Sequence, residues 1–188
     1  MAKTVQTNVS MIPEPPVSKF LFANTTTSLI WLLIRVYVGW QWVEAGWEKV
    51  KSPAWVGPSA GGAIKGFLMG ALAKAGGDHP SVQGWYAAFV KGFVIPNAFI
   101  FSHIVAFGEV LVGIALIVGL FTGIAAFFGS FMNMNYLLAG TVSTNPILFF
   151  LQLLLILAWR VAGWWGLDRY VLPTLGTPWF PGDLFRRK

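Results

Sequence analysis

Arg35 and Glu109 are the side chains best placed to do chemistry, because each is set inside a long apolar run. A charge in the middle of a bilayer is costly, so such a residue needs a partner, a water path or a place near the interface. Arg35 falls about eight residues into a run that begins near Ser28, roughly 12 Å along a helix rising 1.5 Å per residue. Gly39, Trp42 and Gly46 follow it at spacings of four, seven and eleven, on the same helical face. A cation, an aromatic plate and two residues without side chains make a face that belongs inside a helical bundle. Its chemistry is either the donation of hydrogen bonds to a ligand or the plain fastening of one helix to another.

Glu109 lies beside Val110, Leu111, Val112 and Gly113 with no charged neighbour within one turn. It therefore either carries no charge or meets Arg35 or Arg160 on another helix. His103, a turn and a half earlier, projects about 120° away around the helix. It suits proton exchange near neutral pH or a structural hydrogen bond. Glu44 and Glu48 stand four residues apart, within reach of Lys49 and Lys51. Glu48 reads as solvated, and the deeper Glu44 equally as a structural partner or a functional acid. Arg160 can reach the headgroups unaided, and Asn133 and Asn135 can bond a ligand carbonyl or a neighbouring helix. Arg35, Glu109, His103 and Glu44 are thus the candidates for acting on a reacting group. Trp42, Gly39, Arg160 and Asn133 are the candidates for lining a bound cofactor.

Several chemistries have no basis here. Cysteine is absent, which removes thiolate nucleophiles, disulfides and cysteine-ligated clusters. Two histidines, His79 and His103, make no multi-ligand metal site, so no metal is expected. Nucleotide loops, calcium-binding loops, HExxH and nucleophile elbows are missing as well.

The elements that must position these residues are membrane helices. Only 11% of the chain is charged and 56% is hydrophobic, whereas soluble domains are about 25% charged. The expected fold is an all-α integral membrane protein, a four-helix transmembrane bundle with interfacial helices in its first loop. The spans are expected at 27–50, 98–120, 121–139 and 146–166, within a membrane domain covering 25–168. Residues 61–76 and 82–95 are too short and lysine-bearing to span, and read as interfacial or partly re-entrant segments. Pro13, Pro15 and Pro16 mark residues 1–24 as a loose tail, and 169–188 form a basic, proline-broken tail. The formal charge of +6 points to anionic lipid headgroups, with no nucleic-acid partner expected. Arg186, Arg187 and Lys188 favour both termini on the cytoplasmic side of a multi-pass protein in a bacterial or archaeal plasma membrane.

The runs RVYVGWQWVEAGWEK and HIVAFGEVLVGIALIVGLFTGIAA, the Asn-bearing third span and the basic fourth span resemble the DoxX/DoxD family over residues 28–168. Arg35, Gly39, Gly46 and Lys49 match its first-helix pattern, and Glu109, Gly113, Gly119 and Gly123 its second-helix pattern and turn. The resemblance implies a four-helix membrane domain. Its DoxD branch implies the large membrane subunit of a thiosulfate:quinone oxidoreductase, hence a quinone partner held by Trp and Phe walls. Arg35 or His103 would then be donors, and Glu109 or Glu44 a proton relay. Without cysteine, electrons would enter from a partner subunit or directly from the substrate. The expected function is a quinone-interacting membrane subunit of a redox complex, with lipids and either a second copy or a redox subunit as partners. Two other classes remain open: a non-catalytic scaffold or assembly subunit, and a small-solute or proton carrier.

Overall fold

A computed structural model describes residues 13–177 as helices joined by short turns, with no strand among the described residues. The segment expected as a loose tail contains helix α1, Pro16–Ala23, which begins on a proline at a position where no backbone donor is needed. Phe20, Leu21 and Phe22 give α1 the apolar surface that proline counting overlooked. Phe22 packs its ring 5.7 Å from that of Trp31, and the Trp31 indole donates to the Leu21 carbonyl at 2.8 Å. Thr25–Thr27 then form a tight turn, opened by the Asn24 side chain accepting from the Thr26 amide. The chain bends by 57° there before α2, Ser28–Lys51.

Helix α2 buries Trp31, Arg35, Val38, Gly39, Trp42 and Gly46 along one stripe. It packs most extensively against α5, Ala98–Val118. Glycines set that crossing. A Cβ on Gly39 would lie 2.9 Å from the Gly113 carbonyl, and one on Gly46 would lie 2.7 Å from the Val110 amide nitrogen. Small residues of this kind let two helix backbones approach closely.

Helix α5 turns at Gly119, which has φ +69°, into α6, Thr122–Leu138. The short connection makes α5 and α6 neighbours. Helix α7, Asn145–Leu157, packs on α6 and on α2, so that α2, α5, α6 and α7 enclose one core. The last expected span, 146–166, is broken: α7 stops at Leu157, and α8, Trp159–Ala162, follows Ala158. Helix α9, Asp168–Thr174, closes the described chain and lies where a tail was expected. The terminal basic residues Arg186, Arg187 and Lys188 lie outside the described residues.

The first loop holds α3, Gly62–Ala73, and α4, Gly84–Phe89, the latter continuing through a wider turn at Val90–Val94. These fall within the two segments expected at 61–76 and 82–95. Ile64, Leu68, Tyr86, Val90 and Val94 form a second apolar cluster with Ala98 and Ala139. Among the described residues, α5 is the one helix long and apolar enough to cross a membrane alone, with mean hydropathy 2.2. The bent α1–α2 pair passes the same criterion together. Phe99, Ile104, Leu111, Phe127, Phe131, Ile147 and Phe150 all point outward.

Candidate functional site

Most of the buried polar side chains fall into three groups along the core. Glu109 is the centre of the first, and it is 1% exposed. Its Oε2 accepts from the Lys49 ammonium at 2.7 Å, and its Oε1 accepts from the Tyr136 hydroxyl at 2.5 Å. Gly46 creates the opening, since a Cβ there would lie 2.9 Å from the Glu109 Cβ. Lys49, in the last turn of α2, then reaches across to α5, with its ammonium 5.4 Å from the centre of the Trp55 ring. Tyr136 is held from α6, with Phe67 packed edge-on at 5.9 Å. The Lys49 side chain is 20% exposed, so this hydrogen-bonded line runs from a sealed carboxyl to the surface.

Glu109 thus meets neither Arg35 nor Arg160. The expected cross-helix partner is instead Lys49, which the sequence placed next to Glu44 and Glu48. Arg35 and Lys49 are both on α2, about 21 Å apart at 1.5 Å per residue. Arg35 and Glu109 are both buried, but they belong to opposite ends of the core.

The second group surrounds Arg35, which is 1% exposed. Its guanidinium donates to the Trp165 carbonyl at 3.2 Å and packs against Gly119 and Gly166, where any Cβ would collide with it. Asp168, fully buried nearby, is an opposite charge acting on Arg35. Its oxygens accept from the backbone amides of Phe121 at 2.5 Å and Thr122 at 2.9 Å. A carboxylate in that place satisfies free donors at the start of α6 and complements the positive end of the helix dipole. Asp168 was missed in the sequence. Its signal was a lone acid in the Trp-rich segment that returns to the α5–α6 turn.

The third group lies between them. Asn133 donates to the Gln152 side-chain carbonyl at 2.8 Å, and Trp42 and Ser130 are buried in the same layer. Gln152 was also missed, although a single amide in the run NPILFFLQLLLIL was visible.

The other candidates lie elsewhere. His103 bonds to the Phe99 carbonyl of its own helix at 2.8 Å, with its ring 4.6 Å from that of Phe99 on the outer face of α5. Glu44 is exposed, and Gly39 serves the α2–α5 crossing. Arg160 pairs at 2.7 Å with Glu14 on the surface. Asn135 bonds back to Phe131, while its backbone carbonyl accepts from the Tyr86 hydroxyl at 3.0 Å. Burial holds that phenol above its usual pKa, which keeps it a donor.

An apolar groove of about 330 Å³ opens beside Asp168, between Ile124, Ile156, Trp159 and Leu172. Its carboxylate is already committed to two backbone amides. At the Glu109 end, by contrast, all three polar groups are titratable side chains.

A family model described as "TQO small subunit DoxD" matches residues 30–177, which include all three groups. No curated protein and no solved structure matches the chain. That description names a small subunit, where the sequence resemblance implied a large one. With most of its length matched, the chain belongs to the DoxD family and is a membrane protein.

Proposed function

We propose that this chain is the membrane subunit of a thiosulfate:quinone oxidoreductase-like complex, and that quinone exchanges protons at Glu109. Family membership supports the class of complex. The line Lys49–Glu109–Tyr136 carries the assignment of the site. Reducing a quinone to a quinol takes two electrons and two protons, and the protons must reach carbonyl oxygens in an apolar setting. A buried carboxyl bonded to an ammonium and a phenol is a short chain of groups able to pass protons. The partly exposed Lys49 links it to the outside, while Trp55 and Phe67 offer apolar walls for a ring. The electrons come from the thiosulfate side, through a partner subunit or by direct reaction of substrate with quinone.

In this reading α2, α5, α6 and the broken α7–α8 cross the plasma membrane. The contacts of α1 with α8, and the Glu14–Arg160 pair, support both ends of the chain on one side, taken as cytoplasmic. The test is titration of the purified protein in lipid nanodiscs with a water-soluble quinone analogue, followed by Trp fluorescence and thermal shift. Saturable binding that E109Q and K49M weaken is the expected result. Absence of saturable binding, or binding unchanged in both variants, would sink the proposal.

One observation favours a second reading, a non-catalytic scaffold. Asp168 is committed to two backbone amides and Arg35 donates to the Trp165 carbonyl, which ties the segment after α8 to the α5–α6 turn. If the Glu109 group is a fastener of the same kind, a stoichiometric partner will co-purify with E109Q and keep full activity.

A further inference from the structure

The middle layer of the core holds polar atoms with no partner inside the chain. They are the Trp42 indole nitrogen, the Gln152 amide nitrogen, the Asn133 amide oxygen and the Ser130 hydroxyl. Trp42 is 2% exposed, Ser130 5%, and Asn133 and Gln152 are fully buried. They come from three helices: Trp42 from α2, Ser130 and Asn133 from α6, Gln152 from α7. Two of the donors converge. A Cβ on Gly129 would run into the Gln152 amide nitrogen and lie 3.1 Å from the Trp42 indole nitrogen. Both nitrogens therefore sit against the bare backbone of α6 at that residue. Val38, Leu116, Ala126 and Leu155 pack in the same core, so bulk water offers these groups nothing.

We propose that this layer is an internal binding site for a neutral ligand of water size, occupied by one or two water molecules. The composition of the site selects the ligand. Unpaired donors and an unpaired acceptor stand together, so the occupant must both accept and donate hydrogen bonds. A ketone carbonyl would answer only the donors. A cation or anion would meet no opposite charge in the layer, because all four side chains are neutral. Water meets both demands, and buried waters bridge unsatisfied groups of this kind. Asn133 lies three residues before Tyr136 on α6, so the site sits about one helical turn from the Glu109 group. This site stands whether or not quinone binds at Glu109.

The test is water-edited solid-state NMR of the full chain in lipid bilayers, with ¹⁵N-indole tryptophan and the W42F spectrum to assign the Trp42 signal. The expected result is a water cross-peak at the Trp42 indole in the wild-type protein, lost in Q152L. The Trp31 indole, bonded to the Leu21 carbonyl, is the internal control for a buried Trp without water. No water contact at Trp42, with the indole bonded directly to a reoriented Gln152 amide, overturns the proposal. That outcome is read from the wild-type spectrum, so it does not depend on Q152L folding.

Discussion

The two charged ends of the core solve the same problem in opposite ways. At the Arg35 end, the anion is held by main-chain amides and the guanidinium by a main-chain carbonyl and two glycines. At the Glu109 end, every polar contact to the acid is a titratable side chain, and one of them reaches the surface. Backbone partners cannot change protonation or swing away without unmaking the fold. Side-chain partners can do both. The first end is suited to holding helices together and the second to exchange, although both read as one thing in the sequence, a charge in an apolar run.

Substitutions can break that contrast. The largest loss of stability is expected from D168A, which strips two amides of their acceptor and leaves Arg35 uncompensated. Leaving a buried donor without its acceptor costs about 1–3 kcal/mol for each amide, readable as a large drop in thermal midpoint in detergent or bicelles. If D168A proves as stable as the wild type, the Arg35 end is not the fastener described here. E109Q keeps an acceptor for Tyr136 and frees Lys49 to turn outward, so its cost is expected near 1 kcal/mol. Its effect should instead appear as loss of quinone-dependent turnover. A variant that unfolds like D168A yet turns over normally would reverse the assignment of the two ends. Y136F removes one hydrogen bond at about 1 kcal/mol, and should slow turnover less than E109Q does. The smallest effect belongs to R160Q, which deletes an exposed pair with Glu14 worth about 0.5 kcal/mol; a thermal midpoint within error of the wild type is expected.

The helical class and the burial of Arg35 and Glu109 were legible in the sequence, because hydropathy and helical spacing are local properties. The helical character of the two first-loop segments was legible for the same reason. Partners were not. Lys49 stands 60 residues from Glu109, and along its own helix it is adjacent to Glu48, so local spacing assigned it to the wrong acid. Asp168 sits at the start of a short helix, and its job depends on where the α5–α6 turn comes to rest. Gln152 was hidden by its setting, since one amide among leucines hardly changes the hydropathy of a run. Helix α1 was masked by prolines that in fact precede and open it. The break at Ala158 has no proline or glycine to announce it.

The glycine crossing of α2 and α5 has a mechanical consequence. With Gly39 against Gly113 and Gly46 against Val110, the two backbones are interlocked and leave no clearance for sliding. Lys49 and Glu109 are mounted on that stiff pair, whereas Tyr136 is carried by α6, which has far less in common with α5 and is paired chiefly with α7. The α2–α5 pair is therefore a fixed post for the Glu109 group, and Tyr136 on α6 and Phe67 on α3 are the parts of its surroundings carried by other elements.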